Sequence, residues 1–175
     1  VYKEAEKNIL ETYNLLGTSS SKVELVFAPV ATHIHALKNI FDGTLKLTKP
    51  RRIKMPKILL AAQNISLFEG GSKTGEIPVI AMKDAGVKYA IIGHSECREL
   101  GDTNATVLAK AQLALAQKLG VILCVGERER DSGVQYLRSV EEQIVSVFSH
   151  IDKKDHASVT IAYEPVWAIN NKDNL

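Results

Sequence analysis

Five short apolar runs recur along this chain at nearly constant intervals, and no other feature narrows its possible folds so far. VELVFAP starts at Val23, KILLAAQN at Lys57, KYAIIGHSE at Lys88, VILCVGE at Val121 and VTIAYEP at Val159. Each is apolar at consecutive positions and rich in β-branched residues, the pattern of a buried strand. With Ala28, Ala62, Ile92, Val125 and Tyr163 as their last core positions, the steps are 34, 30, 33 and 38 residues. That spacing leaves room for one crossover helix each time.

The intervening segments have the apolar spacing of helices: THIHALKNIF from Thr32, IPVIAMKDAG from Ile77, TNATVLAKAQLALAQKLG from Thr103 and SGVQYLRSVEEQIVSVFSHI from Ser132. A further helix is predicted from Tyr2 to Leu16. Thr103 is placed to cap its helix, and Gly86 and Gly120 stand where helices should stop. Fully apolar strands alternating with helices require a parallel sheet covered by helices, hence an α/β fold. No strand is followed by the G-x-G-x-x-G turn of an open dinucleotide-binding sheet, which favours a barrel. The stretch Thr44–Lys57 reads as an exposed basic connection. With 175 residues the chain is read as one domain over 1–175.

Charge and cysteine content narrow the partners. Lys and Arg number 22 against 20 Asp and Glu, so no general basic surface points to nucleic acid, while a small anion remains compatible. Cys97 and Cys124 make neither a disulfide framework nor a zinc cluster, so neither a metal nor a cofactor is expected and a reducing compartment is. No apolar run approaches the roughly 18 residues of a membrane span, and VYKEAEKN is too charged for a signal peptide. The expected location is the cytoplasm, or an organelle interior such as a plastid if a leader has been removed.

Polar groups follow the strands directly: Gln63 and Asn64, then His94, Ser95 and Glu96, then Glu127, then Glu164. In a parallel barrel these positions share one mouth, where the active site lies. Without a metal cluster, a nucleophile turn or a glycine-rich phosphate loop, the chemistry on offer is a carboxylate and an imidazole, which suits proton transfer. Glu164 sits between an apolar strand and Pro165, where desolvation would make it a stronger base. His94 precedes residues that can open a short helix, whose amides would favour a neutral ring. The plainer readings stand beside these: Glu164 as a loop ion pair, Cys124 as a small core residue, Trp167 as a packing anchor, Glu127 and Arg98 as ion-pair partners at the rim. His33 and His35 do not face each other on a helix and are assigned no role.

The segments AAQN, TGE, GHSE, LCVGE and AYEPVWAI, in this order and at these separations, resemble the triosephosphate isomerase family. The resemblance runs from the first helix to Ile169. It implies a TIM (β/α)8 barrel, cofactor-free interconversion of glyceraldehyde 3-phosphate and dihydroxyacetone phosphate through an enediolate, a place in glycolysis and gluconeogenesis, and a homodimer. By the same resemblance Glu164 is the base and His94 the neutral electrophile. Ser95 and Glu96 support the site, and Asn64 and Glu127 match strand-end positions. Pro165, Val166 and Trp167 form the hinge of a lid continued by Ala168, Ile169 and Asn170. Thr74 matches the threonine that reaches toward the partner's active site.

The sequence departs from the family at several points. Asn170, Asn171 and Lys172 stand where the lid normally has glycine, threonine, glycine and lysine, and Ser72 and Lys73 replace an Ala and Phe pair. The Glu127–Gly133 loop is short. A family barrel has eight strands in about 250 residues, and the second to sixth are expected here, an incomplete barrel of about five parallel strands with surrounding helices. The seventh and eighth strands supply most of the family's phosphate site. The alternative is therefore a non-catalytic, barrel-derived binding or assembly module lacking that site.

Overall fold

Each apolar run becomes a strand: β1 Leu25–Phe27, β2 Ile58–Ala62, β3 Tyr89–Ile92, β4 Gly120–Val125 and β5 Val159–Tyr163. These come from a computed structural model that describes residues 3, 4, 7, 8, 11, 24–42, 58–130 and 133–169. The predicted helix from Tyr2 to Leu16 is helical at its five described positions and otherwise lies outside them, as do the basic stretch before Lys57 and Asn170 of the lid.

All neighbouring strands pair in parallel, in the order β1-β2-β3-β4-β5. An open doubly wound sheet reverses its order at a switch point. This sheet never does so over its five strands, which is the winding of a (β/α) barrel. Between the strands run α1 Ile34–Phe41, entered through a 3₁₀ turn at Ala31–His33, α2 Val79–Asp84, α3 Ser95–Glu99, α4 Asn104–Ala116 and α5 Gln135–Phe148; α6 Val166–Ile169 follows β5.

The core forms where helices meet the middle strands. Ala90, Ile92, Val121, Leu123 and Val125 pack with Val79, Val107, Ala111, Ala114 and Val147. Full burial of one such valine or leucine stabilises by about 1.5–3 kcal/mol. The small side chains of Ala111 and Ala114, both without exposed surface, let α4 approach the sheet closely. Lys110 on the same helix is buried, but its ammonium donates to both oxygens of Asp102 at 2.7 and 2.9 Å and to Asn64 Oδ1 at 3.1 Å. A buried charge persists only with such partners. This one ties α4 to the loops after β2 and α3.

Two expectations need correction. The fifth run is not buried on both faces: Thr160 is exposed, and Ile161 and Tyr163 keep 44% and 54% of their surface. β5 has a neighbour on one side only among the described strands, so its side chains lack the packing that β4 receives. Gly120 does not stop a helix either. It opens β4 opposite Tyr89, and a Cβ there would lie 2.4 Å from the Tyr89 ring, so the glycine makes space for an aromatic ring.

The stop of α4 falls to Lys118 at φ 60°, where the Leu119 amide reaches Ala114 O at 2.9 Å and the Lys118 amide reaches Leu115 O at 2.8 Å. These two bonds make the same C-terminal motif that Gly86 makes after α2. The N-cap of α4 is as expected, with Thr103 and Thr106 bonding each other's backbone amides.

A lysine in left-handed backbone costs about 1–2 kcal/mol that glycine avoids, against glycine's larger loss of chain entropy. Lys118→Gly is therefore expected to stabilise the fold by about 0.5–1 kcal/mol, read as a higher urea midpoint. A lower midpoint would contradict this assignment of the helix end.

Candidate active site

The parallel register brings the ends of β3, β4 and β5 to one level. Ile92 pairs beside Leu123, and Val125 beside Tyr163. After β3 the chain turns at Gly93, with φ 78°, and His94 caps the short helix α3. Its Nδ1 accepts the Glu96 amide at 3.3 Å. A nitrogen that accepts carries no proton, so in this arrangement the ring proton sits on Nε2.

After β5, Glu164 extends the ladder by one residue, its amide donating to Val125 O at 2.9 Å, and the extended backbone that precedes Pro165 ends it. Glu164 Oε2 lies 3.2 Å from His94 Nε2, with the two side chains 21% and 33% exposed. Its other oxygen, Oε1, is buried and accepts no hydrogen bond among the described residues. A carboxylate so placed keeps unused acceptor capacity for an incoming proton.

The surroundings hold this pair in place. Arg98 donates to Gly93 O at 2.8 Å and to Asn104 Oδ1 at 2.9 Å, which fastens the turn before His94 to the start of α4. Burial pushes its guanidinium down from its usual value, while Asp102 and Glu164 act the other way. Burial also pushes the Cys124 thiol well up, and nearby Glu164 adds to this, so Cys124 is a neutral core thiol.

Glu127 and Trp167 differ from their plainer readings. Glu127 is 2% exposed, not at a rim, and its carboxylate accepts from Tyr163 Oη with both oxygens at 3.0 Å and from Trp167 Nε1 at 2.8 Å. Burial alone would raise its pKa. The bonds from Trp167, its own amide and Tyr163, with Arg130 adding charge, outweigh that and hold it below the usual carboxylate range. Arg130 lies over the rings of Trp167 and Tyr136, 5.3 and 4.9 Å from their centres. With the Val166 amide on Glu127 O at 2.9 Å, one buried carboxylate residue holds the start of the segment after Glu164 by backbone and side chain.

A cleft of about 520 Å³ opens beside these residues, lined among others by Ser95, Arg98, Glu127, Glu164 and Val166. Glu96 reaches toward His94 Nδ1 at 3.7 Å with a largely exposed side chain. Asn64 turns elsewhere, accepting from Lys110 and from the Ile65 amide at 2.9 Å. Thr74 stands at the exposed tip of a turn closed by Glu76 N to Lys73 O at 3.0 Å. Among the described residues no group of three or more His, Cys, Asp or Glu could hold a metal ion, and no helix is long and apolar enough to cross a membrane.

The family model for triosephosphate isomerase matches residues 1–174. The chain belongs to the triosephosphate isomerase family. It is 38% identical over 174 residues to the triosephosphate isomerase of Treponema denticola, covering 97% of this chain and 64% of that protein. Over 170 residues it is 38% identical to the Saccharomyces cerevisiae enzyme, covering 95% and 62%. Over 157 residues it is 40% identical to that of Geotalea uraniireducens, covering 88% and 57%. The chain thus spans about three fifths of the length of the curated relatives it matches, and its five strands are part of a TIM barrel.

The Glu127 cluster was missed by local reading. Its partners Tyr163 and Trp167 are 36 and 40 residues away in sequence. A carboxylate held low stabilises the fold above its unfolded pKa of about 4.3, and that contribution is lost as pH falls through the lower folded value. Fluorescence of Trp167, the single tryptophan, should therefore show a transition below about pH 4.3, with circular dichroism confirming that the fold persists. Glu127→Gln should abolish it, and the same transition in that variant would contradict the cluster.

Proposed function

We propose that the protein carrying this chain interconverts glyceraldehyde 3-phosphate and dihydroxyacetone phosphate without a cofactor. Glu164 removes the proton from the carbon next to the carbonyl while His94 donates a hydrogen bond from Nε2 to the carbonyl oxygen as the enediolate forms; the hydroxyl proton of the neighbouring oxygen then passes to that oxygen by way of His94, which ends as it began, and Glu164 returns its proton to the former carbonyl carbon. This is the division of labour known for the family. Here it rests on one observation above the others: His94 Nε2 faces Glu164 Oε2 at 3.2 Å while its Nδ1 is occupied by the Glu96 amide. A neutral imidazole with its proton on Nε2 can polarise a carbonyl without supplying a positive charge that would hold the base idle.

In this reading residues 165–170 are the lid that keeps water from the enediolate, and Glu127 holds its first turn. Ser95 and Glu96 support the site directly, and Asn64 does so only through the bond it accepts from Lys110. The chain forms a single domain within a homodimer, with Thr74 directed at the partner, and works in glycolysis and gluconeogenesis in the cytoplasm or an organelle interior. The non-catalytic module draws no support from the matched family or from the paired Glu164 and His94.

The test is turnover of glyceraldehyde 3-phosphate by the protein purified from its source and by its Glu164→Gln variant. Loss of the base is expected to lower kcat by roughly 10²- to 10⁴-fold with KM little changed. Undiminished turnover in the variant would contradict the assignment of the base.

A further inference from the structure

Between His94, which follows β3, and Glu164, which follows β5, stands the end of β4, and the residue just after it is Gly126. A Cβ on Gly126 would fall 2.1 Å from the Glu164 carbonyl oxygen and 2.6 Å from its carbon. The Gly126 backbone therefore rests directly on the peptide that joins Glu164 to Pro165. Hydrogen bonds bracket it on both sides, Glu164 N to Val125 O and Val166 N to Glu127 O, each 2.9 Å. Any rotation of the Gly126 peptide planes presses on the backbone that carries the carboxylate.

One side chain bonds both of those planes. Gln143 on α5 accepts the Gly126 amide with Oε1 at 3.0 Å and donates from Nε2 to the Gly126 carbonyl at 3.0 Å. Its amide thus does for Gly126 what a neighbouring strand's peptide does inside a ladder, using both backbone groups at once. Gln143 is 9% exposed, one of few buried polar side chains, and a buried amide is tolerated only when its hydrogen bonds are made. The helix packs on the core through Val147, which has no exposed surface and lies one turn further on, and through the partly buried Val140, Ile144 and Phe148. Gln143 itself faces the strand end, where it lines the cleft beside Glu164.

We infer that Gln143 is a positioning residue for Glu164, fixing the height of the carboxylate above the strand ends through the backbone of Gly126. The inference rests on the reading of Glu164 as the base. Gln143 touches neither the proton nor the substrate, and its loss tilts the Gly126 peptide and with it the Glu164 backbone.

The experiment compares the wild-type protein with Gln143→Met, which keeps the length and removes both bonds, and with Gln143→Glu, which keeps the acceptor and loses the donor. Misplacement of a catalytic group by about 1 Å costs roughly 10²-fold, so Gln143→Met should lower kcat by roughly 10- to 100-fold with KM nearly unchanged. Hydrogen exchange should quicken at the Gly126 and Glu164 amides but not at the amides of β3. Protonation of the new carboxyl restores the donor to Gly126 O, so kcat of Gln143→Glu relative to wild type should rise as pH falls, while that of Gln143→Met stays level.

Wild-type kcat in Gln143→Met, or unchanged exchange at the Glu164 amide, would overturn the inference. A relative kcat of Gln143→Glu that stays flat with pH would also overturn it, and this variant decides the matter if Gln143→Met fails to fold. Absence of isomerase activity in the wild-type protein would instead overturn the proposed reaction, with the exchange measurement still deciding whether Gln143 holds Glu164.

Discussion

Parallel pairing of β3, β4 and β5 is the constraint on which the rest of the site depends. Because neighbours run in one direction with Ile92 beside Leu123 and Val125 beside Tyr163, all three chains leave the sheet on the same side at nearly the same height. Strands two apart in a sheet are separated by roughly 10 Å. His94 and Glu164 close that gap by reaching over β4 from either side, until Nε2 and Oε2 are 3.2 Å apart. The reach is possible only if the end of β4 stays low, and Gly126, with no room for a Cβ, keeps it so.

Polar groups buried around the pair are each held by more than one bond. Arg98 spans Gly93 and Asn104, Lys110 spans Asp102 and Asn64, Glu127 gathers Tyr163 and Trp167, and Gln143 engages both sides of Gly126. Fully bonded, such groups resist the small displacements that loops otherwise permit, because breaking one leaves an unpaired polar atom out of water. Two buried atoms beside the pair lack a hydrogen-bond partner among the described residues, Arg98 Nη2 and Glu164 Oε1. The unfilled acceptor at Glu164 Oε1 is what the proposed proton transfer requires of its base.

The order of elements was legible in the sequence because strands two to four are apolar on consecutive positions, and the regular spacing between runs leaves little choice of connection. AYEPVWA and GHSE carried the family, and with it the expectation for Glu164 and His94. What escaped local reading depends on distance along the chain or on shape. Gly120 reads as a helix stop until Tyr89 is placed opposite it, and Lys118 gives no sign that it takes left-handed backbone. Glu127 has the pattern of a rim residue because Tyr163 and Trp167 reach it from a strand and a helix encoded far downstream. Gln143 lies among charged residues of a helix whose exposed face hides the one turn that meets a strand end. The exposure of β5 follows from its neighbours and not from its own apolar residues.

Deuterium transfer tests the pairing of Glu164 with His94 as a proton-moving site more directly than any rate. If a carboxylate lifts the proton from glyceraldehyde 3-phosphate and exchanges with solvent before returning one, dihydroxyacetone phosphate formed in deuterium oxide carries solvent deuterium on its C1, which proton NMR reads as the loss of one C1 hydrogen. That label is the expected result. Product formed with no solvent deuterium would contradict a carboxylate base open to exchange.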